Sequence, residues 1–217
     1  MLGWLGLREY RGFQELARYQ RAGRDWERTV ASRGSAVAIV APHGGNIEAG
    51  TSEIAALLAG DDFSLYAFEG RMPRGNSRLH ITSTRFDDPV CLALVAGARI
   101  ALTVHGCRGE QPIVYLGGRH TALRARMAEA LRGAGFNARP DDPRHPGEDP
   151  RNICNRGNDG HGVQLEISCG LRRTMFAGLR AHERAEIGPP LVAFVVALHP
   201  ILAALERELA GPETPPV

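Results

Sequence analysis

Ser35–Ala41 (SAVAIVA) is a run of small and β-branched residues without a single charge. A strand of that kind has no polar face to offer water, so it must be covered on both sides. It therefore calls for a sheet sandwiched between helices. The rest of the chain supplies them, because short apolar runs alternate with longer helical stretches in the α/β manner. Further strands are expected at Ser64–Phe68, Leu79–Thr84, Ile100–His105, Ile113–Leu116 and Val163–Ser168. Helices are expected over 10–33, Gly50–Ala59 (capped by Thr51 or Ser52), Pro89–Ala96 and Thr121–Arg132. A last helical stretch, Leu171–Leu209, is broken by Gly188-Pro189-Pro190.

The chain has 217 residues, 43% of them hydrophobic and 23% charged, which is enough apolar material for one domain with a core of its own. The apolar run Pro189–Leu198 is too short to span a bilayer, and Met1–Leu7 lacks the basic start and cleavage site of a signal peptide. A cytoplasmic protein, reaching any outside substrate through cell lysis, is the expectation, as is a monomer with no membrane partner. Cys91, Cys107, Cys154 and Cys169 stand far apart with no C-x-x-C pair, which argues against a zinc ribbon or a disulfide scaffold. All 26 basic residues are arginine and none is lysine. Schiff-base chemistry, a lysine-held pyridoxal group and the P-loop lysine are thereby excluded. A net charge of +2 is too mild to indicate a nucleic-acid partner.

Residues 138–161 break the rhythm with four prolines and three glycines. A loop of that length in a compact domain is usually functional or mobile. The final residues, 211–217, read as a frayed tail.

Two histidines stand at strand ends, where α/β proteins place ligand-binding residues. His43 follows SAVAIVA in the segment Ala-Pro-His-Gly-Gly-Asn-Ile-Glu, and Glu48 comes five residues later. His105 ends IALTVH. Two imidazoles and one carboxylate make a catalytic zinc set that leaves a fourth position for water. Such a site also needs a base, and Glu166 inside VQLEIS is the natural one, since a carboxyl between apolar neighbours wants a reason. Asn155 and Arg156 offer an amide beside a planar fork suited to a carboxylate. Arg108, Arg119, Arg172 and Arg173 are further anion-binding candidates. His80, inside LHITST, is counted with Asn155, Arg156 and Arg172 as substrate-binding. Cys107, two residues after His105, is a rival nucleophile. A metal-binding regulatory protein without turnover also stays open.

The ordered segments APHGGNIEAGTSEIA, SLYAFEG, LHITSTRFDDP, TVHGC, VYLGG, NICNRG and VQLEIS resemble the phage and bacterial poly-γ-glutamate hydrolase family, from about Tyr10 to Leu171. The resemblance implies an open mixed sheet flanked by helices, similar to the zinc carboxypeptidases. It implies one zinc per chain held by His43, Glu48 and His105, with Glu166 as general base and acid. It also implies hydrolysis of γ-glutamyl amide bonds in an anionic polyglutamate substrate, with Asn155-Arg156 as a carboxylate-binding pair. That pair follows His105 here, whereas carboxypeptidases place it before the second histidine ligand.

Overall fold

A computed structural model describes residues 10–142 and 144–210, so the readings of Met1–Leu7 and of the 211–217 tail lie outside the described residues. Seven strands form one mixed sheet: β1 (Trp26–Ala31), β2 (Val37–Gly45), β3 (Ser64–Gly70), β4 (Ile100–Cys107), β5 (Ile113–Gly117), β6 (Asn137–Arg139) and β7 (Val163–Ser168). Their order across the sheet is β1-β3-β2-β4-β7-β5-β6. Strands β3, β2, β4 and β7 run parallel, and β1 and β5 lie antiparallel to their neighbours β3 and β7. The α/β class and the flanked mixed sheet are as expected.

The helices are α1 (Phe13–Tyr19), α2 (Thr51–Ala59), α3 (Pro89–Ala96), α4 (Thr121–Gly133), α5 (Cys169–Met175) and α6 (Pro189–Ala210). Alternation along the strands divides the core in two. Ile100, Leu102 and Val104 of β4 and Val163, Leu165 and Ile167 of β7 point to the face covered by α2, α4, α5 and α6. Val40, Tyr66, Phe68 and Ala101 point to the face covered by α1 and α3. His105 and Glu166 continue that alternation onto the α1/α3 face, which is thinly covered near the carboxyl ends of the strands.

Four expectations need correction. The helix expected over 10–33 stops at Tyr19, where Gln20 turns extended at φ -119° and ψ 136°; Gly23 then takes a left-handed φ of 77° and the chain enters β1. Leu79–Thr84 is not a strand. Leu79 and Ile81 are buried on either side of His80, so the alternation is real. Yet β3 already has β1 and β2 on its two edges, and the segment lies across the strand ends without a ladder. Gly50, at φ 99°, takes the N-cap of α2, and Ser52 instead accepts a hydrogen bond from the Gly45 amide. Finally, α5 ends at Met175, and Pro189 and Pro190 open α6 rather than breaking it, since a first helical turn has no use for their missing N–H groups.

With 22 residues, α6 is long and apolar enough to cross a membrane by length and composition, so the ten-residue run seen in the sequence understated it. Leu191, Phe194, Leu198, Leu202 and Leu205 bury one face of it in the core. That spacing is the signature of a helix lying on a sheet.

Candidate metal centre and catalytic cleft

The chain leaves β2 through α2 to β3 on one side and returns to β4 on the other. The carboxyl ends of β2 and β4 therefore flank a crevice, the place where open α/β sheets bind ligands. His43 and His105 stand at those two ends.

Simple alternation would not bring them together. Counting from Ala41, which faces the α2/α6 core, His43 would point to that same side. The pairing with β3 slips between Ala41↔Ala67 and Gly44↔Glu69, so β2 spends one more residue than its partner. This bulge turns His43 onto the face of His105, a common use of bulges beside functional sites. Pro42, which has no N–H to lose from a ladder, sits at the slip. The chain then folds back sharply. Gly45 takes φ 61°, and a Cβ there would lie 2.5 Å from the Gly70 carbonyl. The Glu48 amide donates to the His43 carbonyl at 2.9 Å and closes the turn. A five-residue gap thus becomes a direct contact.

Glu48 Oε1 lies 3.1 Å from His43 Nδ1, and Glu48 Oε2 lies 3.7 Å from His105 Nδ1. The two Nδ1 atoms are 3.2 Å apart. The three groups offer ligand atoms within 4.8 Å of one another. His43 Nε2 is 2.7 Å from the Ile81 carbonyl, which only accepts, so Nε2 carries a hydrogen there and Nδ1 is the ring nitrogen turned to the other two groups. That nitrogen faces a carboxylate oxygen and a second ring nitrogen, a convergence of donor atoms that a bound cation would bridge. Zinc–nitrogen bonds of about 2.0–2.1 Å in tetrahedral geometry put the two nitrogens about 3.3 Å apart. The donor set therefore fits zinc. Each ring is also steered from behind, His43 by Ile81 and His105 Nε2 by Ser83 Oγ at 3.4 Å, as metal-binding imidazoles usually are.

Burial pushes the Glu48 carboxyl up, but His43 and His105 more than offset this and hold it well below the usual carboxylate range. Its Oε2 also accepts from the Gly106 amide at 2.8 Å. Burial pulls the His105 imidazole down, while Glu48 and Glu166 raise it further, and its balance lies above the ordinary value. His80 stacks on His43 with ring centroids 3.9 Å apart, and its Nε2 lies 3.7 Å from Glu48 Oε1. Burial lowers its pKa to about 4.

Glu166 sits directly opposite His105 in the β4–β7 register. Burial raises its pKa, the property wanted in a base that works near neutrality. Its Oε1 accepts from Gln164 Nε2 at 3.3 Å and lies 3.9 Å from His145 Nδ1. All of these groups open into one cleft of about 610 Å³, also lined by Thr82, Ser83, Arg108, Arg144, Gly147 and Asn152.

The structure brings His43, Glu48, His80, His105 and Glu166 into this cleft and leaves five expected residues outside it. Asn155 is buried within the long loop. Its Nδ2 donates to the Gly147 and Asp149 carbonyls, and its Oδ1 accepts from the Arg119 and Gly162 amides. Arg156 is exposed and does not line the cleft. Arg172 is buried, and its guanidinium donates to the carbonyls of Ile167, Ala49 and Cys107, strapping β7, the Glu48 turn and β4 together. Arg108 does line the cleft. Arg119 and Arg173 are engaged elsewhere, with the Gly160 carbonyl and with Glu110. Cys107 also lines the cleft, but burial and the nearby Glu166 push its thiol up to about 11, which suppresses the thiolate a nucleophile needs.

His145 and Gln164 were not expected here. Gln164 lies two residues before Glu166 on the same strand face, so a period of two could have found it. His145 gave no comparable signal inside a polar loop.

Comparison with known proteins gives the family and the fold. The family model described as poly-gamma-glutamate hydrolase matches residues 10–196. The UPF0714 protein YndL of Bacillus subtilis (strain 168) is 37% identical over 179 residues, 81% of this chain and 70% of YndL. The SPbeta prophage-derived UPF0714 protein YoqZ of the same strain is 42% identical over 142 residues, 64% of this chain but only 52% of YoqZ. Among solved structures, a bacteriophage poly-gamma-glutamate hydrolase superposes with a TM-score of 0.88 at 31% identity, covering 90% of this chain and 97% of that one. Zinc-free YndL gives 0.86 at 34% identity, covering 91% and 98%. An N-formylglutamate amidohydrolase from Ralstonia eutropha JMP134, 13% identical with a TM-score of 0.52, shares the fold.

Proposed function

The chain belongs to the poly-γ-glutamate hydrolase family, and from that premise we propose that it is a zinc-dependent hydrolase of γ-glutamyl amide bonds in poly-γ-glutamate or a related glutamyl substrate. The observation that carries the reading is the convergence of His43, Glu48 and His105 beside the buried carboxyl of Glu166. These three residues would hold the metal, which when bound lowers the pKa of a ligated water and polarises a carbonyl.

The chain's own residues then do the following. Glu48, fixed by the Gly106 amide and the two imidazoles, stays ionised and keeps both Nδ1 atoms turned inward. Glu166 accepts the proton of the attacking water at its carboxylate, and its proton is later spent on the leaving amine. Gln164 fixes one Glu166 oxygen and leaves the other free for this exchange. Arg108, at the cleft and without an ion-pair partner among the described residues, offers a cation to the substrate's carboxylates. His80 covers the ligand face opposite the strands. The same reading takes the enzyme as a monomer with no nucleic-acid or membrane partner, cytoplasmic and meeting outside polymer through cell lysis.

The test is size analysis of poly-γ-glutamate after incubation with the protein, with and without a chelator. Shortening of the polymer that stops on chelation and returns with zinc supports the proposal. An α-linked polyglutamate cleaved equally well would contradict the linkage assigned.

A further inference from the structure

The long loop contains the least regular backbone near the cleft, yet the three residues next to Glu166 are among its most firmly held. The His145 amide donates to the Asp142 carbonyl at 3.2 Å, and the His145 carbonyl accepts from Gln164 Nε2 at 3.2 Å. The Pro146 carbonyl accepts from the Gly118 amide at 2.8 Å, and the Gly147 carbonyl from Asn155 Nδ2 at 2.7 Å. Gly147 takes φ 65°, and a Cβ there would lie 2.8 Å from the Gln164 side chain. Gly117 of β5 is equally tight, since its Cβ would lie 2.7 Å from the His145 carbonyl. Two buried amides, Gln164 and Asn155, are thus spent on holding this segment. One of them, through the same nitrogen, also holds Glu166.

What the segment presents is an imidazole. The His145 ring lines the cleft, has no hydrogen-bond partner among the described residues, and lies with Nδ1 3.9 Å from Glu166 Oε1. That gap is too long for a direct hydrogen bond and suits one bridging water. Across the sheet the ligands come from β2, the turn after it and β4, Glu166 comes from β7, and the His145 carbonyl lies against Gly117 of β5. The His145 backbone is therefore on the side of Glu166 away from the ligands, and an amide whose carbonyl sits over the ligands can turn its nitrogen to that side. Its neighbour Arg144 is not an alternative, because its guanidinium is paired with Asp142 and lies over the Tyr115 ring.

We infer that His145 is a second catalytic group, forming with Glu166 a proton relay that serves the leaving amine; this rests on the hydrolase reading above. The attacking water forms its bond to the carbonyl carbon as its proton passes to Glu166. The carbon–nitrogen bond breaks as the departing nitrogen takes a proton from the His145 imidazolium. Glu166 then returns its proton to His145 through the bridging water. The sum is one water added across the amide, with both side chains restored.

The experiment compares His145→Gln with wild type, both zinc-loaded, on one glutamyl oligomer carrying either a γ-linked alkylamide or a γ-linked p-nitroanilide. An alkylamine needs a proton to leave, and a nitroaniline scarcely does. The expected result is unchanged zinc content and thermal midpoint, a kcat on the alkylamide lowered by about 10²-fold or more, and a loss on the anilide of less than about tenfold. Added imidazole should restore part of the alkylamide activity to His145→Ala, which guards against reading a folding defect as chemistry. Equal losses on both substrates, or no loss on either, would overturn the relay. If wild type cleaves neither, the hydrolase reading itself fails, an outcome separate from any effect of His145; if Glu166→Gln remains active on both, Glu166 is not the base and the relay is overturned.

Discussion

The two walls of the cleft are built by different means. The metal wall, at the ends of β2 and β4, is set by backbone: a bulge aims His43, a closed turn returns Glu48, and the Gly106 amide fixes the carboxylate. The wall formed by β7 and the long loop is set by side-chain amides that reach far along the chain. Asn152 donates to Gln164, Gln164 ties His145 to Glu166, and Asn155 ties Gly147 to Gly162. The first wall is bound to regular strands and should resist change as a unit. The second depends on a few buried amides and should loosen when one is lost.

The largest effect that tests this contrast is His105→Ala. Removing one ligand should abolish metal retention and all measurable hydrolysis while the helical signal in circular dichroism persists. Next comes Glu166→Gln, which belongs to the other wall. It should keep the metal and lower kcat by about 10²–10⁴-fold, because the amide preserves shape without accepting a proton. Loss of metal in this variant would make Glu166 a ligand and dissolve the distinction between the walls.

The same contrast explains what could be seen in the sequence. SAVAIVA, IALTVH and VQLEIS announce buried strands by composition, and residues at their ends can be placed without knowing the turns. His43 and His105 could be picked out for that reason, and Glu166 as a carboxyl inside such a strand, whereas Glu48 depended on its closeness to His43 in sequence. The bulge was not legible, since nothing in Pro-His-Gly-Gly says which residue is extra. Trp26 continued the helical spacing of Phe13, Leu16 and Tyr19, but Gln20 is already extended and Gly23 takes a positive φ before β1 begins. Asn155 and Arg156 suggested a carboxylate fork because both side chains carry donors. Burial of one and exposure of the other turn the pair into a loop clamp and a surface cation. His145 was hidden because its placement depends on Gln164, nineteen residues on.

A smaller effect should follow from Asn155→Ala. Losing its buried bonds leaves carbonyls and amides of the loop unsatisfied, at a cost of about 1–3 kcal/mol in denaturant unfolding. Zinc affinity, measured by competition with a chelator, should stay near wild type, because the other wall is untouched. An equal loss of affinity would show that the walls are one unit. The smallest effect is expected for Arg156→Lys, whose kcat/KM on glutamyl oligomers should stay within about twofold of wild type, where loss of a charge-assisted pair would cost far more. A fall of one to two orders of magnitude would return Arg156 to the substrate site.

The central claim is that His43, Glu48 and His105 hold a metal while Glu166 does not. Anomalous diffraction at the zinc edge, from crystals of the zinc-loaded protein, tests it most directly. One peak per chain is expected at about 2.0–2.2 Å from Nδ1 of His43, Nδ1 of His105 and a Glu48 oxygen, with Glu166 outside bonding distance. A peak bound through Nε2 of either histidine, or one that includes Glu166 among its ligands, would contradict it.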